Sequence, residues 1–309
     1  MSAVRVIGTF RRIAPLGVKL QDVATGAIIA SPLVVEASAK GSLPVKLSRN
    51  SANVWIASRL PGLRDSDLDP DAGSVRPRVY ALEVYDSSGQ FLPLALDITL
   101  PHAGLYSWDG WDALPQSLLD PLRRTLGGAP CPQALPLFSA PSRSTPAGSA
   151  EIRGQVRRAD NGGPAAWTLI TAEIAGSVRG IGLCDEEGRF ALFMPWPRWP
   201  KAVLPPLSPP SSSAPITANS PPLSPSPAQP VGPVWEVVIR AWSSLLKPGE
   251  VPSLTAVMAQ LSHNRTLLIS SGSPPAQLAP QPMRFGQPLS LPPGLPGERP
   301  SSFLIMTTE

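Results

Sequence analysis

The sequence predicts an all-β protein of two antiparallel β-sandwich domains, with a long Pro/Ser-rich disordered insertion in the second domain. Proline accounts for 41 of the 309 residues. Because proline lacks an amide hydrogen and clashes with the preceding helical turn, this content excludes long helices almost everywhere. Short apolar runs separated by turn residues recur along the chain, which is typical of strands. Both halves also carry the same ordered pair of turn motifs, which indicates two domains of related design.

The first domain is predicted at residues 1–101. Its short apolar runs are spaced as in a single antiparallel sandwich of about 100 residues. The predicted strands are 4–7, 17–21, 33–37, 45–47, 54–56, 79–85 and 94–100.

The regular spacing of short apolar runs ends at residues 102–150, which are predicted to form a connector. A short helix is predicted at 114–126, interrupted by Pro121. The second sandwich is predicted at 151–309. Its predicted strands are 151–156, 167–174, 191–194, 234–242, 267–269 and 303–306. A helix is predicted at 253–262, because apolar residues recur there at helical spacing behind Ser253, a suitable N-cap.

The insertion at 198–233 contains 12 prolines and 7 serines. Such a sequence can neither pair in a sheet nor wind into an α-helix, so we expect an extended loop biased towards polyproline II. A passive spacer is the simpler interpretation. The alternative is that the proline-rich sequence is a ligand for an aromatic groove.

The most informative repeat is the motif Asp-x-x-Gly-x-Phe, which occurs once in each half. It predicts a hairpin in which the aspartate caps the turn, the glycine takes a positive φ and the phenylalanine returns to the core. A second shared turn precedes it, at 22–26 and again at 160–163. The structural turn residues of the main motif are Asp86, Gly89, Phe91, Asp185, Gly188 and Phe190.

In the second domain, Gly154-x-Val156, then Asn161-Gly162, then the motif at 185–190 follow one another in order. This order resembles the carboxypeptidase regulatory-like domain, an immunoglobulin/transthyretin-like β-sandwich. The first domain departs from it, with a longer stretch between its two turns. Two such domains, with the sequence at 135–143 before the second, resemble a protein encoded with extracellular contractile injection systems, which are phage-tail-like particles.

The resemblance implies a non-enzymatic structural subunit of such a particle, near the baseplate or spike, present in multiple copies. Its implied partners are the other baseplate and spike subunits. Because the N-terminus shows no apolar signal segment, we expect assembly in the cytoplasm, without a signal peptide, and release with the particle by lysis. The alternative function is a glycan- or surface-binding adhesion module.

The chemistry-bearing residues point away from catalysis. The chain has only two histidines, His102 and His263, which are too few for most histidine-based metal sites and argue against a histidine-centred catalytic triad. We therefore expect no enzyme activity and no catalytic, cofactor-binding or metal-binding residue. The net charge is +4 with scattered basic residues, which predicts no nucleic-acid partner. No apolar run reaches the about 18 residues that a membrane span needs.

Four tryptophans flanked by loop residues are the candidates for partner docking: Trp108, Trp111, Trp196 and Trp199. Large rings on loops can anchor a partner at low entropic cost, and Pro-rich flanks favour a protein over a glycan. The other interpretation is that these rings cover the sandwich ends or fill the seam between domains. Exposed, coplanar rings would favour glycan binding.

Overall fold

A computed structural model describes residues 14–57, 59–63, 77–100, 102, 104–108, 110, 134–198, 232–269, 275–291 and 303–308. These residues are predominantly β-strand, which confirms the all-β prediction. The predicted strand at 4–7, the predicted helix at 114–126 and most of the proline-rich insertion lie outside the described residues.

The first half of the chain forms two sheets whose inward faces share one core. One sheet has the strand order β4-β5-β1-β8, and the other has the order β3-β2-β6-β7. The strands are β1 (Leu16–Asp22), β2 (Val34–Ala39), β3 (Val45–Lys46), β4 (Ser48–Arg49), β5 (Trp55–Ala57), β6 (Arg78–Tyr85), β7 (Leu94–Leu100) and β8 (Ala134–Leu137).

The second half forms two larger sheets. One has the order β11-β10-β13-β14, with β17 also paired to β13, and the other has the order β12-β9-β19-β15-β16, with β18 also paired to β9. The strands are β9 (Ser149–Arg158), β10 (Leu169–Ile174), β11 (Ser177–Leu183), β12 (Arg189–Pro195), β13 (Val234–Trp242), β14 (Asn264–Arg265), β15 (Leu267–Ile269), β16 (Ala276–Gln277), β17 (Gln281–Arg284), β18 (Leu289–Leu291) and β19 (Leu304–Met306).

Strand direction differs from the purely antiparallel expectation. β8 runs parallel to β1, and both β18 and β19 run parallel to β9. Parallel neighbours need a long crossover connection, and each of these strands returns from far along the chain. β8 also falls within 102–150, so part of the segment predicted as a connector is a strand of the first half. The proposed division into domains stays a prediction.

The predicted helix at 253–262 is confirmed as helix α1 (Leu254–Ala259), continued by a 3-10 turn at Gln260–Ser262. Ser253 stands at the N-cap with extended backbone. The Ala95 amide on β7 donates to the Pro252 carbonyl (3.0 Å), which brings the start of α1 against the first half of the chain. The buried face of the helix therefore fills space between the two halves.

One buried hydrophobic cluster, here called the shared core, contains side chains from both halves. The first half contributes the inward residues of β1, β2, β6 and β7, including Val18 and Tyr80. The second half contributes Trp167, Leu183 and, from α1, Leu254. Burial of apolar surface is the main favourable contribution to folding. The two halves consequently depend on one another for part of their stability.

Trp167 lies at the junction within the shared core. Its side chain is 1% exposed, and its backbone φ is +56°, a conformation that a bulky residue rarely adopts. The Trp167 carbonyl accepts a hydrogen bond from Nε2 of the buried Gln260, just after α1 (2.8 Å). Packing around the ring and this bond hold the strained residue in place.

A buried ion pair joins the end of β1 to the segment before β9. Arg143 donates from Nη1 to Oδ1 of Asp22 (2.9 Å) and from Nη2 to Oδ2 (2.7 Å). Nη1 also donates to Oγ of Ser139 (2.8 Å). Asp22 is 4% exposed and Arg143 is 9% exposed. The two-pronged geometry is the strongest form of the arginine–carboxylate contact.

Aromatic rings from both halves enclose this ion pair. The Arg143 guanidinium lies 4.7 Å from the centroid of Phe91 and 5.8 Å from that of Phe193 on β12. Phe193 also packs in a small buried cluster with Ala24 and Ala191. The ion pair therefore lies at the seam between the first half and the second.

We predict that Asp22→Asn lowers the free energy of unfolding by about 3–5 kcal/mol, because it leaves a buried guanidinium without its countercharge. Arg143→Met should lower the free energy of unfolding by a similar amount, because it leaves the buried Asp22 carboxylate without its countercharge. The double variant Asp22→Asn/Arg143→Met should cost clearly less than the sum of the two single changes. Urea unfolding of all four proteins measures this coupling.

The matched control is Asp160→Asn, which removes the partner of Arg158 in an exposed ion pair. Its urea midpoint should stay close to that of the unchanged chain. Additive effects of Asp22→Asn and Arg143→Met would contradict a coupled pair at the seam.

Candidate functional site

The first Asp-x-x-Gly-x-Phe turn is closed by one carboxylate. Oδ1 of Asp86 accepts the Ser88 amide (2.9 Å), while Oδ2 accepts the amides of Gln90 (2.7 Å) and Phe91 (2.9 Å). The Gly89 amide donates to the Asp86 carbonyl (3.2 Å). Phe91 is 6% exposed and lies in the shared core. The aspartate, glycine and phenylalanine thus do what the motif predicts.

The second copy of the motif repeats this local geometry. Oδ1 of Asp185 accepts the amides of Glu187 (3.0 Å) and Arg189 (2.8 Å), and the Gly188 amide donates to the Asp185 carbonyl (3.1 Å). Oδ2 of Asp185 accepts Nε of Arg189 (2.9 Å). Phe190 is 1% exposed.

The two turns differ in what they connect. The Asp86 turn joins β6 to β7, which are antiparallel neighbours in one sheet, and it is the predicted hairpin. The hairpin prediction is wrong for the Asp185 turn, which leads from β11 to β12 in the other sheet. The reason lies in the pairing of the strand that follows, because Phe190 pairs with Gly154 on β9 rather than with a residue of β11.

The pKa values of the two aspartates shift in opposite directions. Burial acts to raise the pKa of Asp86, but hydrogen bonds from the Ser88 hydroxyl and from the backbone amides of Ser88, Gln90 and Phe91 lower it below its usual range. Burial raises the pKa of Asp185, and the hydrogen bonds from Arg189 offset only part of that rise. The second carboxylate therefore accepts two backbone amides and a guanidinium, whereas the first accepts three backbone amides and a hydroxyl.

The earlier shared turn shows a different register from the one that the sequence suggests. The Gly26 amide donates to the carbonyl of Asp22 (2.8 Å), and the Gly162 amide donates to the carbonyl of Arg158 (3.0 Å). Arg158, and not Asp160, therefore takes the place of Asp22 in the second half. The carboxylate that pairs with Arg143 has no counterpart in the repeat.

The four predicted docking tryptophans are in unlike surroundings. Trp108 is 5% exposed and belongs to the shared core, so its ring covers part of the interior. Trp196 follows β12 directly and is half-buried. Trp111 and Trp199 lie outside the described residues. Of the two described tryptophans in this set, Trp196 is therefore the one with exposed surface. Its docking role stays a prediction.

Trp196 belongs to an aromatic cluster, defined by Trp196, Trp235 and Phe285. The ring centroids of Trp196 and Trp235 are 5.9 Å apart with an interplanar angle of 36°. Those of Trp196 and Phe285 are 4.9 Å apart with an angle of 51°. Phe285 is 44% exposed, and neighbouring Val234 is 48% exposed. The cluster is a partly exposed apolar surface whose rings are inclined to one another.

The strand pattern explains why the rings gather there. Trp235 points to the same face of β13 as the buried residues Val237, Ile239 and Ala241. Trp196 and Trp235 both pack against the core formed by the two sheets of the second half. The aromatic cluster therefore caps one end of that core. Sequence reasoning identified Trp196 but missed Trp235 and Phe285, whose only signal was an aromatic residue at each strand end.

A second surface feature is acidic. Glu36 on β2 stands directly opposite Glu83 on β6, and both line a pocket of about 220 Å³ on the outer face of their sheet. Tyr85 donates its hydroxyl to Glu83, and this bond, together with burial and the two carboxylates, raises the pKa of Tyr85 to about 12. The pocket therefore has two carboxylates in its lining, with Lys46 on β3 directly opposite Glu36 on the other side, and Tyr85 stays protonated at neutral pH.

Within the described ranges, no group of three or more His, Cys, Asp or Glu side chains is arranged to hold a metal ion. None of the helices in that part of the chain is both long enough and apolar enough to span a membrane. Comparison with known protein families, with curated proteins and with solved structures gives no match.

We predict that Gly188→Ala destabilises the protein far more than Gly89→Ala. Both glycines have positive φ, +73° and +69°, so each substitution should cost about 1–2 kcal/mol from backbone conformation alone. A Cβ at Gly188 would also lie 2.2 Å from the Val156 carbonyl oxygen, whereas one at Gly89 would meet its nearest neighbour, Oγ of Ser142, at 3.4 Å.

Urea unfolding of the two variants measures the difference, with Gly41→Ala as the control for positive φ in open space. We expect Gly41→Ala and Gly89→Ala to be similar and Gly188→Ala to lose at least about 2 kcal/mol more. Equal losses in all three variants would show that the close approach at Gly188 does not constrain the turn.

Proposed function

We propose that the protein is a non-enzymatic structural subunit that works by contact with other proteins, in the baseplate or spike region of a phage-tail-like contractile injection particle. The observation that carries this proposal is the shared core. A particle subunit has to hold several contact surfaces in a fixed relation while its neighbours move. The resemblance of the motifs supplies the kind of particle.

The packing supports such a role in two ways. The shared core and the buried ion pair of Asp22 and Arg143 couple the two halves, so that a load on one is transmitted to the other. The same arrangement leaves several sheet faces and the aromatic cluster at the surface as contact surfaces. Symmetric assemblies reuse such surfaces in every copy, which agrees with the expectation of multiple copies.

The alternative is a glycan- or surface-binding adhesion module. A sugar ring stacks on an aromatic face, and a row of coplanar, exposed rings would favour it. The rings of the aromatic cluster are inclined by 36° and 51°, and Trp108 is buried. This geometry gives less support to glycan stacking than to contact with a polypeptide.

The test is purification of contractile particles from cells that express a tagged copy of the chain together with a particle gene cluster. We expect the tagged chain to sediment with sheath and baseplate proteins in a constant ratio. The ratio should survive a wash at about 1 M salt, where the Debye length is only about 3 Å, because an apolar interface is insensitive to screening.

Cells that carry the tagged chain without the particle genes provide the control for self-sedimentation. If the chain stays in the soluble fraction while intact particles form without it, the structural-subunit proposal is wrong. Binding of the purified chain to glycans or to cell surfaces would then support the adhesion module.

A further inference from the structure

The aromatic cluster lies where the proline-rich sequence leaves and re-enters the described fold. Trp196 stands two residues before Arg198, the last described residue ahead of this sequence, and Gly232 is the first described residue after it. The Phe285 amide donates to the carbonyl of Pro233 (3.2 Å), so the point of re-entry is fixed beside Phe285. Trp196 ahead of residues 199–231 and Pro233 after them are therefore both placed at the three rings.

The sequence between these two points has the composition of a ligand for such rings. Residues 201–231 contain ten prolines and a single charge, Lys201, and the pentapeptide Pro-Pro-Leu-Ser-Pro occurs at 205–209 and again at 221–225. Proline-rich sequences favour polyproline II, which loses little entropy on binding. Aromatic-lined grooves bind this conformation by stacking proline rings against aromatic faces.

We propose that the aromatic cluster of Trp196, Trp235 and Phe285 is a polyproline-binding surface, occupied by the proline-rich sequence 201–231 of the same chain. The rings are inclined to one another by 36° and 51°, which suits a ridged polyproline strand better than a flat ligand. Attachment at both ends gives the sequence an effective concentration in the millimolar range at the rings. A separate partner has to exceed this concentration to compete.

This inference goes beyond the proposed function and does not depend on the particle. It concerns the isolated chain, and it changes what a partner meets at Trp196. A protein that docks at Trp196 would have to displace the chain's own proline-rich sequence. The acidic pocket and the outer sheet faces are not subject to this competition.

The test compares the intact chain with a variant in which residues 201–231 are replaced by a Gly-Ser sequence of equal length. The probe is a fluorescent synthetic peptide with the sequence of residues 203–231, followed by anisotropy. We expect the peptide to bind the replaced variant and to bind the intact chain at least about tenfold more weakly, because the tethered sequence already occupies the rings. Thermal melting verifies that the replaced variant folds.

Matched substitutions locate the site. Trp196→Ala or Phe285→Ala in the replaced variant should weaken peptide binding at least about tenfold, the order expected for loss of one anchoring ring. Val79→Ala, an exposed apolar residue on β6, should leave binding unchanged. A peptide with its prolines replaced by alanine should not bind. A full-length chain with the ten prolines replaced by serine should bind the original peptide as the replaced variant does.

Three results would overturn the proposal. Failure of the peptide to bind both the replaced variant and the full-length proline-to-serine chain would mean that the rings are not a polyproline-binding surface. Equal binding to the intact and replaced chains would mean that the surface is open to a partner's proline-rich sequence and not occupied by its own. An intact chain that is dimeric while the replaced variant is monomeric would assign the occupant to a second copy.

Discussion

The buried ion pair between Asp22 and Arg143 is the constraint on which the rest of the architecture depends. Asp22 also accepts the Ala24 amide (2.9 Å), so one carboxylate fixes the turn after β1 and holds the segment that leads into β9. Two charges removed from water are costly unless each is fully hydrogen-bonded. The pair holds the Arg143 guanidinium between Phe91 of the first half and Phe193 of the second.

The two halves repeat local turns but not topology. Both aspartate motifs close with the same bond from the glycine amide to the aspartate carbonyl, yet after one the chain returns along its own sheet and after the other it crosses to the opposite sheet. The shared core follows from this difference. One face of the sheet that contains β10 and β11 packs in the core between the two sheets of the second half, while Leu169 and Leu183 of the same sheet belong to the shared core. α1 then fills the remaining space. The sequence repeat thus reflects the same local turn in both halves, whereas the packing of the strands makes the halves depend on one another.

Most strands and α1 were predictable from the sequence because their apolar spacing is local information. β11 was missed, since Gly180 and Gly182 interrupt its apolar pattern. A Cβ at Gly180 would lie 2.6 Å from the Cδ2 methyl of Leu192, so this strand packs closely against β12. β8 and β18 were missed because each pairs in parallel with a strand that is distant in the chain. The same reason explains the site: Trp196 was visible as a loop aromatic, but only folding brings Trp235 and Phe285 beside it.

We infer that the described halves form one cooperative body around the shared core. Differential scanning calorimetry of the full chain is the test, through the ratio of the calorimetric to the van't Hoff enthalpy of unfolding. For a single cooperative unit this ratio is about 1, and both enthalpies belong to one transition. We expect that result. Two resolved transitions, or a ratio near about 2, would show that the halves unfold independently and would contradict the shared core.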